Sequence, residues 1–181
     1  KLNILGWVVM LAPLGFVFAM NGLMNRLSST MLLLLFIAYS AVTGISLSFI
    51  FMAFTSTSIF TVFLMAAGVF AVMAVAGYTT KTDLTKLGSI LMLGVIALVV
   101  GSLINMFIGS SGFDFLLSLI GVVIFTGLTA YKMQQLKYFA QSVVNGTEAA
   151  QKMAIMGALG LYITFINLFL TLLRLFGGRR D

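Results

Sequence analysis

The sequence predicts an all-α fold, a polytopic membrane helical bundle forming a single domain over residues 1–181. Three observations carry that expectation. Hydrophobic residues make up 61% of the chain and charged residues only 8%, where a soluble domain keeps about a quarter of its residues charged. The mean hydropathy is +1.18. Apolar stretches close to the roughly 20 residues needed to cross about 30 Å of hydrocarbon recur along the chain, and they divide it into six candidate spans at about 4–20, 31–54, 59–78, 89–108, 114–131 and 153–176.

Composition also removes whole classes of function. The chain has no Cys and no His, so disulfides, thiolate or imidazole metal sites, haem ligation and Ser-His or Cys-His catalysis are excluded within these residues. The net charge of +6 is spread over connections between apolar stretches, which reads as loop charge that orients helices and not as a nucleic-acid surface. No phosphate, dinucleotide or hydrolytic motif is present. The expectation is a protein that is not an enzyme, takes no cofactor, and has the lipid bilayer as its first partner.

The first span holds the single proline, Pro13, which kinks a helix or frees a carbonyl, and Trp7 lies near one end at an interfacial depth. The chain starts with Lys1 already entering this apolar run, the pattern of a sequence lacking its natural beginning. A polar connection with Arg26 leads to the second span, where Ser40, Gly44 and Ser48 recur every four residues as a close-packing face. The uncharged turn Thr55 to Ser58 leads to the third span, and the charged connection Thr79 to Gly88 to the fourth, which carries Gly94, Gly101 and Asn105 on one face. A GSSGF turn opens the fifth. A long, partly helical and amphipathic connection from Lys132 to Lys152 then precedes the sixth.

If all six spans cross, the connections after the first, third and fifth share a side and carry Arg26, Lys81, Lys86, Lys132, Lys137 and Lys152. The positive-inside rule places that side in the cytoplasm. Arg174, Arg179 and Arg180 then fall on the opposite side, so either the tail tolerates this or the last segment is re-entrant.

The last span has a feature that lipid alone does not explain. Thr164, Asn167, Thr171 and Arg174 are spaced by three, four and three residues, so they share an arc of roughly 100° on a helix, and Gly157 and Gly160 extend the strip one turn back. Unpaired hydroxyls and amides cost several kcal/mol in hydrocarbon, so this helix belongs inside the bundle. Thr164, Asn167 and Thr171 either bond to helix backbones or line a polar path; Asn105 has the same two readings, with Asn167 as a candidate partner. For Arg174, near the helix end, snorkelling to headgroups is the favoured reading.

Three stretches carry a family resemblance: GYTTKTDLTKLGS (Gly77 to Ser89), IGVVIFTGLTAYKMQQLK (Ile120 to Lys137) and MGALGLYITFINLFLTLLRLFGG (Met156 to Gly178). With these the chain resembles the Bax inhibitor-1 (TMBIM) family, most closely its bacterial branch. The resemblance implies a seven-helix bundle with the last helix central, the first helix lying upstream of this sequence, and a multi-pass location in the bacterial inner membrane. It also implies a pH-sensitive calcium leak or ion-homeostasis role, or alternatively an adaptor that modulates a membrane protease or other membrane complex.

The family pattern pairs two aspartates as a pH sensor, with a basic residue beside the first. Here those positions hold Lys132 and Thr164, and the basic partner corresponds to Arg26. A lysine and a threonine cannot share a titrating proton, and Arg26 is repelled by Lys132, not latched to it. The acidic residues Asp83, Asp114, Glu148 and Asp181 are dispersed, none in mid-span, which does not support a tight intramembrane calcium site.

Overall fold

A computed structural model describes residue 22 and residues 26–178, and every regular element among them is helical. In chain order these are α1 (Ser29–Ser46), a 3₁₀ turn (Leu47–Phe49), the short α2 (Ile50–Ala53), α3 (Ser56–Thr79), α4 (Thr85–Ile108), α5 (Ser111–Ser142) and α6 (Glu148–Phe176). Five stretches of helix are long and apolar enough to cross a membrane, with α1, the 3₁₀ turn and α2 together forming the first of them, Ser29–Ala53.

Hydroxyl side chains start most of these helices. Ser28, Thr55, Ser110 and Thr147 each accept a backbone N–H from three residues downstream, at 3.3, 3.3, 3.2 and 3.2 Å, satisfying donors that helix geometry leaves unpaired at an N-terminus. At α4 the Thr85 N–H is taken by Asp83 Oδ1 at 2.9 Å. α4 ends at Gly109, whose φ of +69° is a left-handed cap that costs glycine no strain.

Packing is organised by glycines that let backbones approach. Gly88, Gly94 and Gly101 on α4 lie against Tyr131, Ile124 and Leu117 on α5, one contact per two turns, which is the register of an antiparallel pair. On α3, a β-carbon added to Gly77 would collide with the backbone of Ala130 on α5. α5 thus packs against α3, α4 and α6, while α6 packs against α1, α3 and α5. The main core joins Val62 and Ala66 of α3, Ile124, Phe125 and Leu128 of α5, and Leu168, Phe169 and Leu172 of α6. Phe63 and Phe70 meet Phe165 edge to face at 5.6 and 5.4 Å, an arrangement worth about 0.5–1.5 kcal/mol per pair. A smaller cluster seats Leu32 and Tyr39 of α1 against Leu159 of α6.

Several expectations change. The expected span 4–20, with Pro13 and Trp7, lies outside the described residues, so five spans and not six are described. The stretch expected to cross at 114–131 is part of a helix of 32 residues, about 48 Å long, and the expected connection 132–152 narrows to residues 143–147. The last helix does not hold the centre alone: α5 has the largest buried share of the five spans, because glycines and small residues on it or facing it admit three neighbours. α6 is one unbroken helix with no re-entrant break. Near its start Gln151 accepts a bond from Ser29 Oγ at 2.8 Å. Beyond its end Gly178 is tied to the α2–α3 turn, its carbonyl accepting from Thr55 N at 3.0 Å and its N–H donating to Ser58 Oγ at 2.9 Å.

Candidate functional site: the α5–α6 seam

The polar strip of α6 faces α5. Gly121 lies against the Thr171 methyl, Gly157 against Leu136 and Gly160 against Lys132, an antiparallel register that brings Thr129 of α5 level with Thr164 of α6. Both threonines are buried, at 0% and 2% exposure. α5 therefore contributes its own small and polar stripe, Ser118, Gly121, Thr129 and Lys132, which the sequence reading missed. Its steps of three, eight and three residues recur on one helix side and were the available signal.

Most polar atoms of the seam are satisfied within their own helix. Thr164 Oγ1 donates to Gly160 O at 2.9 Å, Asn167 Nδ2 to Ile163 O at 2.8 Å, and Thr171 Oγ1 to Asn167 O and Leu168 O, both at 2.9 Å. Thr129 Oγ1 donates to Phe125 O at 2.8 Å. Such back-bonding lets a polar side chain sit in an apolar bundle without a partner across the interface. Ser118 differs: its hydroxyl is buried at 2% exposure and makes no hydrogen bond among the described residues.

Asn105 is elsewhere. Its Oδ1 accepts the Ser110 N–H at 3.1 Å and its carbonyl the Gly109 N–H at 2.7 Å, so it closes the α4–α5 turn and does not pair with Asn167. Arg174 is exposed in the last turn of α6, where a cation complements the helix C-terminus. Arg26 is exposed ahead of α1. Lys132 is partly buried at one end of the seam, its Nζ close over Gly160, in a cleft of about 270 Å³ lined also by Gln135, Leu136, Phe139, Met153, Met156 and Gly157.

The same end of the molecule gathers the charged connections. Gln134, at 2% exposure, clasps the α3–α4 loop: its Oε1 accepts from Leu84 N at 2.8 Å and its Nε2 donates to Thr82 O at 2.7 Å. Lys137 donates to Tyr78 O at 2.7 Å and lies 5.2 Å from the centre of the Tyr78 ring, placing a cation on the C-terminal turn of α3. Neither role was visible in the sequence, because both residues were read as part of a connection. Asp83 in this loop has its carboxyl held below the ordinary range by hydrogen bonds from the Thr85 hydroxyl and N–H. Among the described residues no three of His, Cys, Asp and Glu come together; the seam offers hydroxyls, an amide and carbonyls.

Over residues 1–181 the sequence matches the family described as "Inhibitor of apoptosis-promoting Bax1". The chain belongs to the Bax inhibitor-1 family. Among curated relatives, this Bax inhibitor-1 chain is 49% identical over 173 residues to an uncharacterized protein of Borreliella burgdorferi, covering 96% of the chain and 75% of the relative. It is 42% identical over 173 residues to the inner membrane protein YbhL of Escherichia coli K12, covering 95% and 74%. An uncharacterized membrane protein of Streptococcus pyogenes serotype M6 is 44% identical over 147 residues, covering 81% and 63%. With several apolar helices long enough to span, this Bax inhibitor-1 protein is a multi-pass inner-membrane protein.

Proposed function

We propose that the protein is an ion-homeostasis factor that passes cations slowly along the α5–α6 seam, calcium being the ion the family resemblance implies. The observation that carries this reading is the matched pair of polar stripes, Ser118, Gly121 and Thr129 on one helix and Thr164, Asn167 and Thr171 on the other, since polar residues inside a membrane bundle mark ion or proton paths by default. The lysine-rich end is the cytoplasmic mouth in this reading. Lys132 stands there and repels cations, which keeps the leak small. The reading includes no chemical turnover.

Reconstituted into liposomes loaded with a calcium dye, the wild-type chain is expected to give flux above empty liposomes. Asn167→Leu should abolish it, Thr164→Val should reduce it, and Lys132→Gln should raise it by roughly tenfold or more, because removing a unit positive charge at the mouth lowers the electrostatic opposition to a cation. Flux equal to empty liposomes for all four proteins sinks the conduction reading. Between pH 6 and 8 the flux should be nearly flat: the chain has no His, and the family's aspartate positions hold Lys132 and Thr164. A steep response would overturn that expectation.

A second reading, an adaptor that restrains a membrane protease or another complex, is favoured by one observation. The end of α5 and the connection that follows it present Tyr138, Phe139 and Val144 as exposed apolar side chains. Co-purification of a partner from membranes, lost on Tyr138→Ser with Val144→Ser while helix content is retained, supports it; retention of the partner overturns it.

A further inference from the structure

Beyond Lys132 the seam opens into a groove that the polar path does not use. The cleft of about 270 Å³ around Lys132 adjoins a second of about 140 Å³, and the two share Leu136, Phe139 and Met153. From Lys132 to Ala140 the groove follows about two turns of α5, about 12 Å, and it reaches Val143 just past the helix end. Its walls are mostly apolar, Leu136, Phe139, Met153 and Met156 with Ala140 and Val143 at the far end, and Gln135 and Asn145 are the polar side chains beside them. Methionine thioethers adapt to the shape of a ligand more readily than branched side chains. Its one charged lining residue is Lys132, at the end toward Gly160.

That charge has no counter-ion among the described residues. Glu148 is engaged by Lys152 at 3.4 Å, Asp83 accepts from Thr85, and Asp114 lies eighteen residues away on the same helix, about 27 Å. A partly buried cation at one end of an apolar groove is the pattern that receives an acidic head with a long apolar body, since a carboxylate taken out of water must be paired. The groove also stands level with and past the polar α3–α4 loop, because Gln134 and Lys137 bond to that loop and to the end of α3. Its apolar walls therefore lie at and beyond the membrane boundary, where covering them is favourable. A slot between two helices suits one unbranched chain better than the two chains of a phospholipid.

We propose that this groove binds a long-chain carboxylate, a free fatty acid in its anionic form, with the carboxylate on Lys132 and the alkyl chain along Leu136, Phe139 and Met153 toward Val143. The assignment is independent of whether the seam conducts.

The full chain in nanodiscs of zwitterionic lipid, exposed to a photoactivatable long-chain fatty acid, is expected to yield adducts on 136–143 and 153–156. Lys132→Glu should lower labelling about tenfold, a difference of about 1.4 kcal/mol, and should favour the alkylamine of the same chain length. Ala140→Trp, which blocks the tail and leaves the charge in place, should also lower it; circular dichroism checks that both variants stay helical. Equal labelling by the fatty acid and the corresponding alcohol overturns the proposal, as do adducts spread over the lipid-facing surface of α4. Displacement of the probe by anionic phospholipid at equal mole fraction would assign the groove to lipid headgroups instead. If Met156→Cys fails to react with a water-soluble maleimide before any probe is added, another segment already fills the groove and the proposal falls.

Discussion

A β-carbon on Gly77 would run into the backbone of Ala130, so the α3–α5 contact rests on a missing side chain. Gly77→Leu is expected to cost about 1–3 kcal/mol through forced separation of the helices, seen as a lower unfolding temperature in detergent, whereas leucine at Gly68, which has open space around it, should be neutral. Gln134 stabilises by a different route. Replacing it with leucine leaves the Leu84 N–H and Thr82 carbonyl without their partner, a loss of about 2 kcal/mol, and hydrogen exchange in 80–85 should accelerate while α5 stays protected. Asp83 adds a pH-dependent contribution of known sign. Its folded pKa lies below the ordinary 3.8, so its contribution is fully present above the unfolded value and is lost as pH falls through the lower folded one. Asp83→Asn should remove that pH dependence, holding loop protection at neutral pH at the weaker level the wild type reaches in acid and leaving the acid-side behaviour unchanged.

At the scale of the helix, apolarity and capping define different boundaries. The sequence places the crossing segments at 31–54, 59–78, 89–108, 114–131 and 153–176, and each helix contains or nearly contains its segment. The helices start two to five residues earlier, at Ser29, Ser56, Thr85, Ser111 and Glu148, because hydropathy detects where hydrocarbon begins, while a helix begins at the side chain that caps its free N–H groups. The larger miss follows from the same distinction. Residues 132–142 carry Lys132, Gln134, Gln135 and Lys137 and look like a connection by polarity, yet nothing in them breaks a helix, and Gln134 and Lys137 find partners on the neighbouring loop. The α6 strip was legible because three, four and three is a helical spacing. That its hydroxyls bond to their own backbone was not, since a threonine in a helix reads the same in sequence whether it bonds to its i−4 carbonyl or across an interface. Thr147→Ala, which removes the α6 cap, is expected to cost about 1 kcal/mol, measurable as faster exchange confined to 148–152.

At the scale of the bundle, the five spans among the described residues are held together by surfaces of two kinds. Glycine contacts align α4 and α6 on α5, and an aromatic and aliphatic core joins α3, α5 and α6. The first kind sets distance and register, the second supplies most of the buried apolar area. The fold class was legible from composition and hydropathy alone, because so few charges leave no soluble alternative. The sharing of the centre between α5 and α6 was not, since it depends on which glycines face one another, and glycines on four helices present the same pattern in sequence.

The grip of Gln134 and Lys137 on the α3–α4 loop makes the end of α5 a lever. Any load taken up by its last three turns, whether a bound molecule or a neighbouring protein, is transmitted through three short hydrogen bonds, two to the loop and one to the Tyr78 carbonyl of α3, and from there along α3 into the core beside Phe63 and Phe70. A ligand that touches only α5 and α6 should therefore slow hydrogen exchange at 80–85, and Lys137→Met combined with Gln134→Leu should disconnect the two, leaving binding in place and the loop unresponsive.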